Sequence, residues 1–357
     1  MNIATFSSPT VPTRTKWAFT TRRVVRTDVA GLSTSLCDAV SGDLVLGQIM
    51  CIGHHKNIQL ASGRSSKSYV GDLVVLACGD RYAPDQFEGL GDLDPELADL
   101  LAGGGVLGRM RQAHAKMAAP TQVKPVGLLV DRDGEIINLG RYALPIKSRP
   151  TDLKVVGVVG TSMNAGKTTT AASLAHGLSR AGYRVAAVKA TGTGAFGDFN
   201  AFRDAGVPIV VDFTDAGMAS TYRQPLDRIE QGFDALVAHA AEQGADIVVA
   251  ELADGIFQEE TAELLRSSTI RDALSGIVLA ASDAVGLVGG VSHLRQIGLE
   301  PLAASGLVTA SPLAAAEAGS GAAVTIISCS QLCDPTHAVE LLGDILPFET
   351  RSLRKVA

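Results

Sequence analysis

Apolar and polar positions follow different patterns before and after residue 150. In the first part, short apolar runs are separated by turn residues, and a Gly-Asp pair opens two of them. The runs predict strands at 43–51, 57–61, 72–78, 126–130 and 135–139. The turn Asp131-Arg132-Asp133-Gly134 predicts a hairpin between the last two. We expect a β-rich N-terminal part, with helical segments at 95–102 and 107–118.

The pattern after residue 150 is an alternation of strands and helices. Continuous apolar runs predict strands at 154–159, 184–189, 208–212, 246–251, 276–281 and 324–329. Helices are expected at 167–181, 226–243, 259–267 and 292–297. Strands that are apolar on both faces and separated by helices indicate a mostly parallel α/β sheet. The polar segment 148–152, which contains a proline, separates the two patterns. The sequence therefore predicts a smaller β-rich domain at 1–150 and an α/β domain at 151–357.

Composition narrows the class of protein. The chain has 357 residues, of which 46% are hydrophobic and 19% are charged, so it is long enough for two packed domains and is not disordered. A net charge of −6 provides no basic surplus for nucleic acid. No run of eighteen apolar residues predicts a membrane span, and the first residues lack a signal-peptide pattern. Five cysteines do not form a disulfide framework, so we expect a cytoplasmic protein. We also expect a homo-oligomer, a dimer, that binds a small-molecule substrate.

The segment after the strand at 154–159 is typical of a phosphate-binding loop. It reads Gly-Thr-Ser-Met-Asn-Ala-Gly-Lys-Thr from Gly160 to Thr168, and a helix follows. Backbone N–H groups and a helix N-terminus favour an anion, and Gly166 permits a close approach of the backbone. Lys167 supplies a positive charge, and the Thr168 hydroxyl suits Mg²⁺. The predicted nucleotide-binding residues are Thr161, Ser162, Met163, Asn164, Ala165, Gly166, Lys167, Thr168 and Thr169.

The spacing of this loop differs from the common pattern. Five residues, not four, separate Gly160 from Gly166. The sequence Gly-Thr-Ser-x-x-x-Gly-Lys-Thr resembles the loop of dethiobiotin synthetase and its SIMIBI relatives among the P-loop NTPases. These relatives include cobyrinic acid amide-forming synthetases, CTP synthetase and MinD-type ATPases. MinD-type proteins carry an extra lysine early in the loop, and residues 161–164 contain none. This difference argues against a membrane-cycling ATPase.

The resemblance implies roles for residues at the ends of later strands. Lys189, at the end of the second predicted strand, matches a lysine that faces the transferred phosphate, and we predict that it is catalytic together with Lys167. Asp198 and Glu251 match carboxylates near Mg²⁺, and Asp212 is the rival of Asp198. With Thr168, they form the predicted metal site. In the relatives, the loops after the late strands hold the adenine base. No Asn-Lys-x-Asp guanine signature occurs there, so we expect ATP and Mg²⁺ as cofactors.

Other patterns carry weaker predictions. The spacing Cys329-x3-Cys333-x3-His337 suits a metal, but buried thiols fit it better because Pro335 interrupts a single helix. The pair His54–His55 suits metal or anion binding, and a solvated pair is the simpler interpretation. The loop at 79–89 combines three carboxylates, an arginine and two aromatics, and it suits substrate recognition or a structural turn.

The sequence as a whole predicts an ATP- and Mg²⁺-dependent enzyme. The expected reaction phosphorylates a carboxylate or carbamate of a small metabolite and leads to an amide or a ring, as in a ligase or synthetase. The two-domain layout also resembles a family associated with D-glutamate N-acetylation. A coenzyme A-dependent N-acyltransferase, whose loop holds the coenzyme's phosphates, is therefore an alternative. A nucleotide-driven switch or metallochaperone is another.

Overall fold

The structure is a computed structural model that describes residues 3–5, 11–343 and 345–346. It divides into two compact units. The first, named here the β-rich unit, joins the described residues up to Pro145 with Gly192–Gly197 and Phe213–Gln224. The second, the α/β unit, comprises Ile146–Thr191, Asp198–Asp212 and the described residues from Pro225 onward. The domain boundary at residue 150 stays a prediction.

The β-rich unit is built from short strands separated by turns, as the sequence pattern predicts. The strands of its described residues are β1 (Ile3–Thr5), β2 (Lys16–Trp17), β3 (Gly31–Ser33), β4 (Leu44–Cys51), β5 (Asn57–Gln59), β6 (Ser65–Lys67), β7 (Leu73–Cys78), β8 (Phe87–Leu90), β9 (Ala98–Ala102), β10 (Val106–Ala113) and β11 (Thr121–Val130).

Most of these strands belong to one sheet. Its order is β1-β3-β11-β4-β7-β10-β8, with β2 paired to β7 and β9 paired to both β10 and β11. Because β9 joins β10 to β11, the pairings β4-β7-β10-β9-β11 close into a ring, which leaves those five strands without a free edge. Fully buried side chains such as Val75, Leu101 and Leu129 form one apolar cluster of this unit. A second cluster contains Ile49 and Leu100.

The helical prediction for 95–102 and 107–118 is wrong. Both segments supply strands, β9 and β10, which pair with each other in antiparallel fashion. Ala, Leu, Met and Gln favour helices in isolation, but pairing with neighbouring strands decides the outcome here. The turn predicted at 131–134 is present. The Asp131 carboxylate accepts hydrogen bonds from the backbone N–H groups of Asp133 and Glu135, each at 3.0 Å.

The α/β unit alternates strands with helices. Its strands are β12 (Lys154–Gly160), β13 (Val185–Lys189), β14 (Ile209–Asp212), β15 (Ile247–Glu251), β16 (Gly276–Ala280) and β17 (Pro301–Ser305). The helices in the described part of the chain are α1 (Lys167–Arg180), α2 (Phe196–Asp204), α3 (Leu226–Glu242), α4 (Glu259–Leu264), α5 (Ser268–Ala273), α6 (Ala284–Gln296), α7 (Pro312–Gly321), α8 (Cys329–Leu332) and α9 (Pro335–Leu341). Among the described residues, no helix combines the length and the apolarity needed to cross a membrane.

The six strands form one parallel sheet in the order β14-β13-β15-β12-β16-β17. Helix α1 packs on it through Leu174 and Leu178, which share an apolar cluster with Val156 and Phe202. The predicted fold class, a mostly parallel α/β P-loop domain with a smaller β-rich N-terminal part, is confirmed. Parallel order also brings the carboxyl ends of all six strands to one edge, where open α/β sheets bind ligands.

Two predicted elements of the α/β unit, one strand and one helix, differ from the structure. The segment 324–329 is not a strand: Ile326 makes a single bridge to Ala304, and helix α8 begins at Cys329. The Ser328 side chain caps that helix by accepting a hydrogen bond from the backbone of Gln331. The sixth strand is instead β17, at 301–305. Helix α6 is also longer than predicted, because the Asp283 side chain caps an earlier N-terminus.

Candidate functional site

The loop between β12 and α1 makes a tight turn that depends on two glycines. Gly166 precedes the first helical residue and has a φ of +94°, a conformation that side chains disfavour. A Cβ at this position would lie 3.1 Å from both the Gly306 Cα and the Leu307 backbone nitrogen. A Cβ on Gly160 would lie 2.6 Å from the Lys167 Cγ. The two glycines therefore allow the Lys167 side chain to run back along the end of β12.

Lys167 lies inside this loop. Its side chain is only 3% exposed, and its Nζ donates to the carbonyls of Ser162 at 2.7 Å and Met163 at 3.1 Å. Burial lowers the pKa of Lys167, and the nearby carboxylate of Glu251 opposes that effect. A buried ammonium beside a helix N-terminus combines two sources of positive potential, and that combination favours a polyphosphate.

Strand register brings three charged residues together at the carboxyl edge of the sheet. Lys189 lies in register with Glu251 on one neighbouring strand and with Asp212 on the other. The side chains of these three residues are each less than one tenth exposed. The sequence predicts that Lys189 and Glu251 each end a strand, and the structure adds that these two strands are neighbours.

The Thr168 hydroxyl lies between two of the predicted metal ligands. Its Oγ1 is 3.0 Å from Asp198 Oδ1 and 3.1 Å from Glu251 Oε1. Asp198 reaches this point from α2, and Glu251 reaches it from the end of β15. Thr168 is the second residue of α1, so its position follows from the loop. The structure thus brings together the three predicted metal ligands, whose roles stay predictions.

Lys189 shares the same carboxylates. Its Nζ forms an ion pair with Asp198 and lies 3.6 Å from Glu251 Oε1. Burial lowers the pKa of Lys189, but the charges of Asp198 and Glu251 outweigh burial and raise it. Burial raises the pKa of Asp198, but the Lys189 ammonium reverses this effect, so the net shift is downward. For Glu251, burial is the largest influence, and its pKa is raised.

One orphaned atom bears directly on whether this site fits Mg²⁺. Glu251 Oε2 is fully buried and has no hydrogen-bond partner in the part of the chain that the structure describes. A buried carboxylate oxygen without a partner costs free energy unless a cation reaches it. Hydroxyl and carboxylate oxygens are the ligands that Mg²⁺ prefers, with water and phosphate completing its octahedron. Thr168, Asp198 and Glu251 therefore fit the metal that the loop implies.

Asp212, the rival of Asp198, occupies a different place. It ends β14, beside Lys189, and is 2% exposed. The Thr168 hydroxyl donates to Asp198 Oδ1. Asp198 is thus the carboxylate placed beside Thr168, and Asp212 is a neighbour of Lys189.

A cavity of about 400 Å³ adjoins the loop within the α/β unit. Its lining residues are Gly166, Thr169, Gly306, Leu307, Thr309, Ala310, Ser328, Cys329 and Ser330. The loop from residue 307 is the one expected to hold a base. Sequence reasoning missed 328–330, because that segment was assigned to a strand and nothing in its composition indicates a pocket.

The cysteine–histidine motif near the end of the described chain does not gather into one site. Cys329 and Cys333 are free thiols at the two ends of α8, and the His337 ring contacts Asp334. No cluster of three or more His, Cys, Asp or Glu side chains suited to a metal ion occurs among the described residues. The cysteine–histidine spacing therefore does not form a metal centre within the described range. Both thiols are partly exposed, so the prediction that they are buried is wrong.

The loop at 79–89 and the pair His54–His55 meet in the β-rich unit. Arg81 is 5% exposed and donates to the Leu101 carbonyl, and it donates to Gln86 Oε1 at 2.7 Å. His55 Nε2 lies 3.1 Å from Arg81 Nη1 and 2.9 Å from the Leu101 carbonyl. Burial and the Arg81 guanidinium lower the pKa of His55 to about 4. This His55 is a neutral, packed side chain, and the interpretation of a solvated pair is wrong for it.

Comparison with known proteins supports the class of the α/β unit. Residues 156–256 match the family described as the CobQ/CobB/MinD/ParA nucleotide binding domain. The match covers 101 of 357 residues and includes the phosphate loop, Lys189, Asp198 and Glu251. No curated protein matches the chain in sequence.

Solved structures with some similarity are remote. The signal recognition particle receptor FtsY from Elizabethkingia anophelis is 18% identical, with a TM-score of 0.34; the match covers 57% of this chain and 58% of that one, less than two thirds of its length. FtsY from Thermotoga maritima is 22% identical over 56% and 70% of the two chains, with a TM-score of 0.36. The hydrogenase maturation factor HypB from Archaeoglobus fulgidus is 13% identical over 50% and 81%, with a TM-score of 0.32. At these TM-scores the likenesses carry no argument about function.

Residues 156–256 of the α/β unit are therefore similar to the CobQ/CobB/MinD/ParA type of nucleotide-binding domain. The sequence match, the glycine-dependent loop and the parallel sheet agree on this assignment. The resemblance to dethiobiotin synthetase in particular remains part of the proposal below.

Proposed function

We propose that this protein is a cytoplasmic, Mg²⁺-dependent enzyme that transfers the γ-phosphoryl group of ATP to a carboxylate or carbamate of a small metabolite. The acyl phosphate is then captured by an amine, which gives an amide or a ring. The observation that supports this proposal is the convergence of two buried lysines and two carboxylates at the phosphate loop. Lys167, Lys189, Asp198 and Glu251 all lie within one connected set of contacts around Thr168.

Each side chain has a distinct task in this reaction. Lys167 neutralises the β- and γ-phosphate oxygens from inside the loop. Lys189, at the end of β13, stabilises the charge that develops as the phosphoryl group moves. Thr168, Asp198 and Glu251 would hold Mg²⁺, which would supply positive charge to the phosphoryl oxygens. The contribution of the protein is positioning and electrostatic stabilisation, since the phosphoryl group itself needs no covalent partner in the chain.

The cavity beside Gly166 supports adenine over guanine. Its polar side chains are the hydroxyls of Thr169, Thr309, Ser328 and Ser330 and the thiol of Cys329. Guanine presents two neighbouring N–H donors that a carboxylate pairs well, and none of the residues that line this cavity carries one. Hydroxyl groups can both donate and accept, which suits the mixed donor and acceptor edge of adenine.

The proposal is tested by measuring ADP release from ATP–Mg²⁺ while a panel of small carboxylates and amino acids is added. A substrate that stimulates ADP formation supports it. Lys167→Ala is expected to lower the stimulated rate by roughly a hundredfold or more, because the loop loses its buried cation. Lys154→Ala, at the opposite end of β12, is the matched control and should retain the rate.

The two alternative functions give different results in the same assay. Acyl transfer from coenzyme A without ADP release would replace the proposal with an N-acyltransferase. ADP release that only a protein partner stimulates would indicate a switch or metallochaperone. Full turnover by Lys167→Ala would remove the phosphate loop from the chemistry altogether.

A further inference from the structure

The ammonium of Lys189 occupies the same carboxylates that the proposed metal needs. Its Nζ pairs with Asp198 and lies 3.6 Å from Glu251 Oε1. The same Glu251 oxygen lies 3.1 Å from the Thr168 hydroxyl. An Mg²⁺ ion binds carboxylate oxygens at about 2.1 Å. An ion on Glu251 Oε1 would therefore lie within about 6 Å of the Lys189 ammonium, in a largely desolvated place.

Charged side chains around Lys189 affect how that proximity is tolerated. Lys167 and Lys189 lie among carboxylates that include Glu251 and Asp212, each at most 2% exposed, and Asp198, whose side chain is 34% exposed. A metal ion on Glu251 would place a second cation beside the Lys189 ammonium. Anionic phosphates that arrive with the metal would give both cations a further partner. Charges separated by a few ångströms in a poorly solvated site interact far more strongly than in water.

We propose that the Lys189 ammonium occupies the place of the metal in the absence of nucleotide. It pairs with Asp198 and Glu251 and thereby excludes free Mg²⁺. Mg²⁺ then binds only together with the nucleotide phosphates, which offer the Lys189 ammonium a new anionic partner. This inference rests on the proposed metal site and adds an order of binding to it. Lys189 is thus a positioning residue for the carboxylates before it stabilises the phosphoryl group.

The inference is tested without any turnover by measuring Mn²⁺ binding in the absence of nucleotide. Mn²⁺ is the probe because the paramagnetic resonance signal of the free ion disappears when it binds. The wild type is expected to bind Mn²⁺ weakly. Lys189→Met removes the competing ammonium and keeps an unbranched side chain only one atom shorter, and it should bind Mn²⁺ at least roughly tenfold more tightly. The double variant Lys189→Met/Glu251→Gln should lose that gain.

Lys154→Met is the matched control, because it makes the same substitution on β12, away from the carboxylates. Its Mn²⁺ affinity should equal that of the wild type. Equal Mn²⁺ affinities for the wild type and Lys189→Met would overturn the inference. So would a gain in Lys189→Met that survives Glu251→Gln, since the ion would then be held elsewhere.

Stability provides a second readout, because Lys189→Met leaves the buried Glu251 and the partly exposed Asp198 without their ammonium. If this variant unfolds at ordinary temperature, millimolar Mg²⁺ should restore its melting temperature, whereas the wild type should shift little. A variant that Mg²⁺ does not rescue contradicts the inference. These metal-binding and stability measurements do not depend on the proposed reaction. If the protein releases no ADP with any substrate, the proposed function is wrong, but the Mn²⁺ affinities of the wild type and Lys189→Met can still be compared.

Discussion

Arg81 in the β-rich unit and Lys189 in the α/β unit are both buried cations, with 5% and 8% of their surface exposed. Their hydrogen-bond acceptors include different groups. Arg81 donates to the Leu101 carbonyl and the Gln86 amide oxygen, which are both neutral. Lys189 pairs with two carboxylates, Asp198 and Glu251. Neutral acceptors fixed by the backbone suit one permanent donor, whereas carboxylates can exchange one cation for another.

The contrast indicates how a structural cation differs from a functional one. A guanidinium that binds carbonyl and amide oxygens supports the packing around it. An ammonium between two carboxylates, one of which has a buried oxygen without a described partner, lies in a site that can accept a metal. The chemistry of the partners is more informative than the burial of the cation.

The largest effect is expected from Arg81→Met. The Leu101 carbonyl keeps the His55 ring as a partner, but it and the Gln86 amide both lose their charged donor, so we expect the β-rich unit to lose about 3 to 5 kcal/mol of unfolding free energy. Trp17, the single tryptophan of the sequence, lies in this unit and reports its unfolding by fluorescence in urea. Arg109→Met, on an exposed position of β10, is the control and should cost little. A loss below about 1 kcal/mol would show that Arg81 is dispensable for packing.

The next largest effect is expected on the rate of ADP release, in a comparison of Asp198→Asn with Asp212→Asn. The first removes a carboxylate that contacts both Thr168 and Lys189, so stimulated ADP release should fall roughly a hundredfold. The second changes a neighbour of Lys189 on the outer strand, and its effect should stay below about tenfold. Steady-state rates at saturating Mg²⁺ make the comparison. The reverse order would assign the metal ligand to the end of β14.

The last predicted effect, which is absent at neutral pH, is the contribution of His55 to the pH dependence of folding stability. Burial and Arg81 lower the pKa of His55 in the folded protein to about 4, against 6.5 for the ordinary side chain. The unfolded chain therefore takes up the proton first as the pH falls. The stabilisation is complete above pH 6.5 and is lost between 6.5 and 4, by up to roughly 3 kcal/mol.

Urea unfolding followed by Trp17 fluorescence checks this pH dependence. In His55→Gln, a neutral amide replaces the ring, and the acid-induced loss should be smaller by that amount. Identical pH profiles for the wild type and His55→Gln would place the acid sensitivity on other groups.

The phosphate loop and the ends of its neighbouring strands could be predicted from sequence because their signals are local. A β-branched run before Gly160 and a helix after Lys167 leave few other arrangements. Parallel strand order then implies that Lys189 and Glu251 share an edge. The fold class follows from the same periodicities, and the structure confirms it.

Other features depend on contacts between distant segments. Residues 107–113 have a composition that suits a helix, but they pair with β9 and β8. The segment 324–329 is apolar enough for a strand, yet it makes one bridge and then caps a helix. The cluster of His55 and Arg81 joins residues 26 positions apart, which no spacing rule connects. Tertiary pairing overrides local preference at each of these places.

The β-rich unit includes two segments from the second part of the chain, Gly192–Gly197 and Phe213–Gln224. This arrangement limits where the chain can be truncated or recombined. Asp215 accepts from Leu144 through its carbonyl at 2.7 Å and binds Arg22 through its carboxylate, and Gln59 accepts from the Phe196 backbone at 2.7 Å. A gene fragment that begins at residue 151 would encode these two segments without the partners that hold them. Exchange of the N-terminal part between relatives at a single crossover is therefore disfavoured, and the two halves must diversify together.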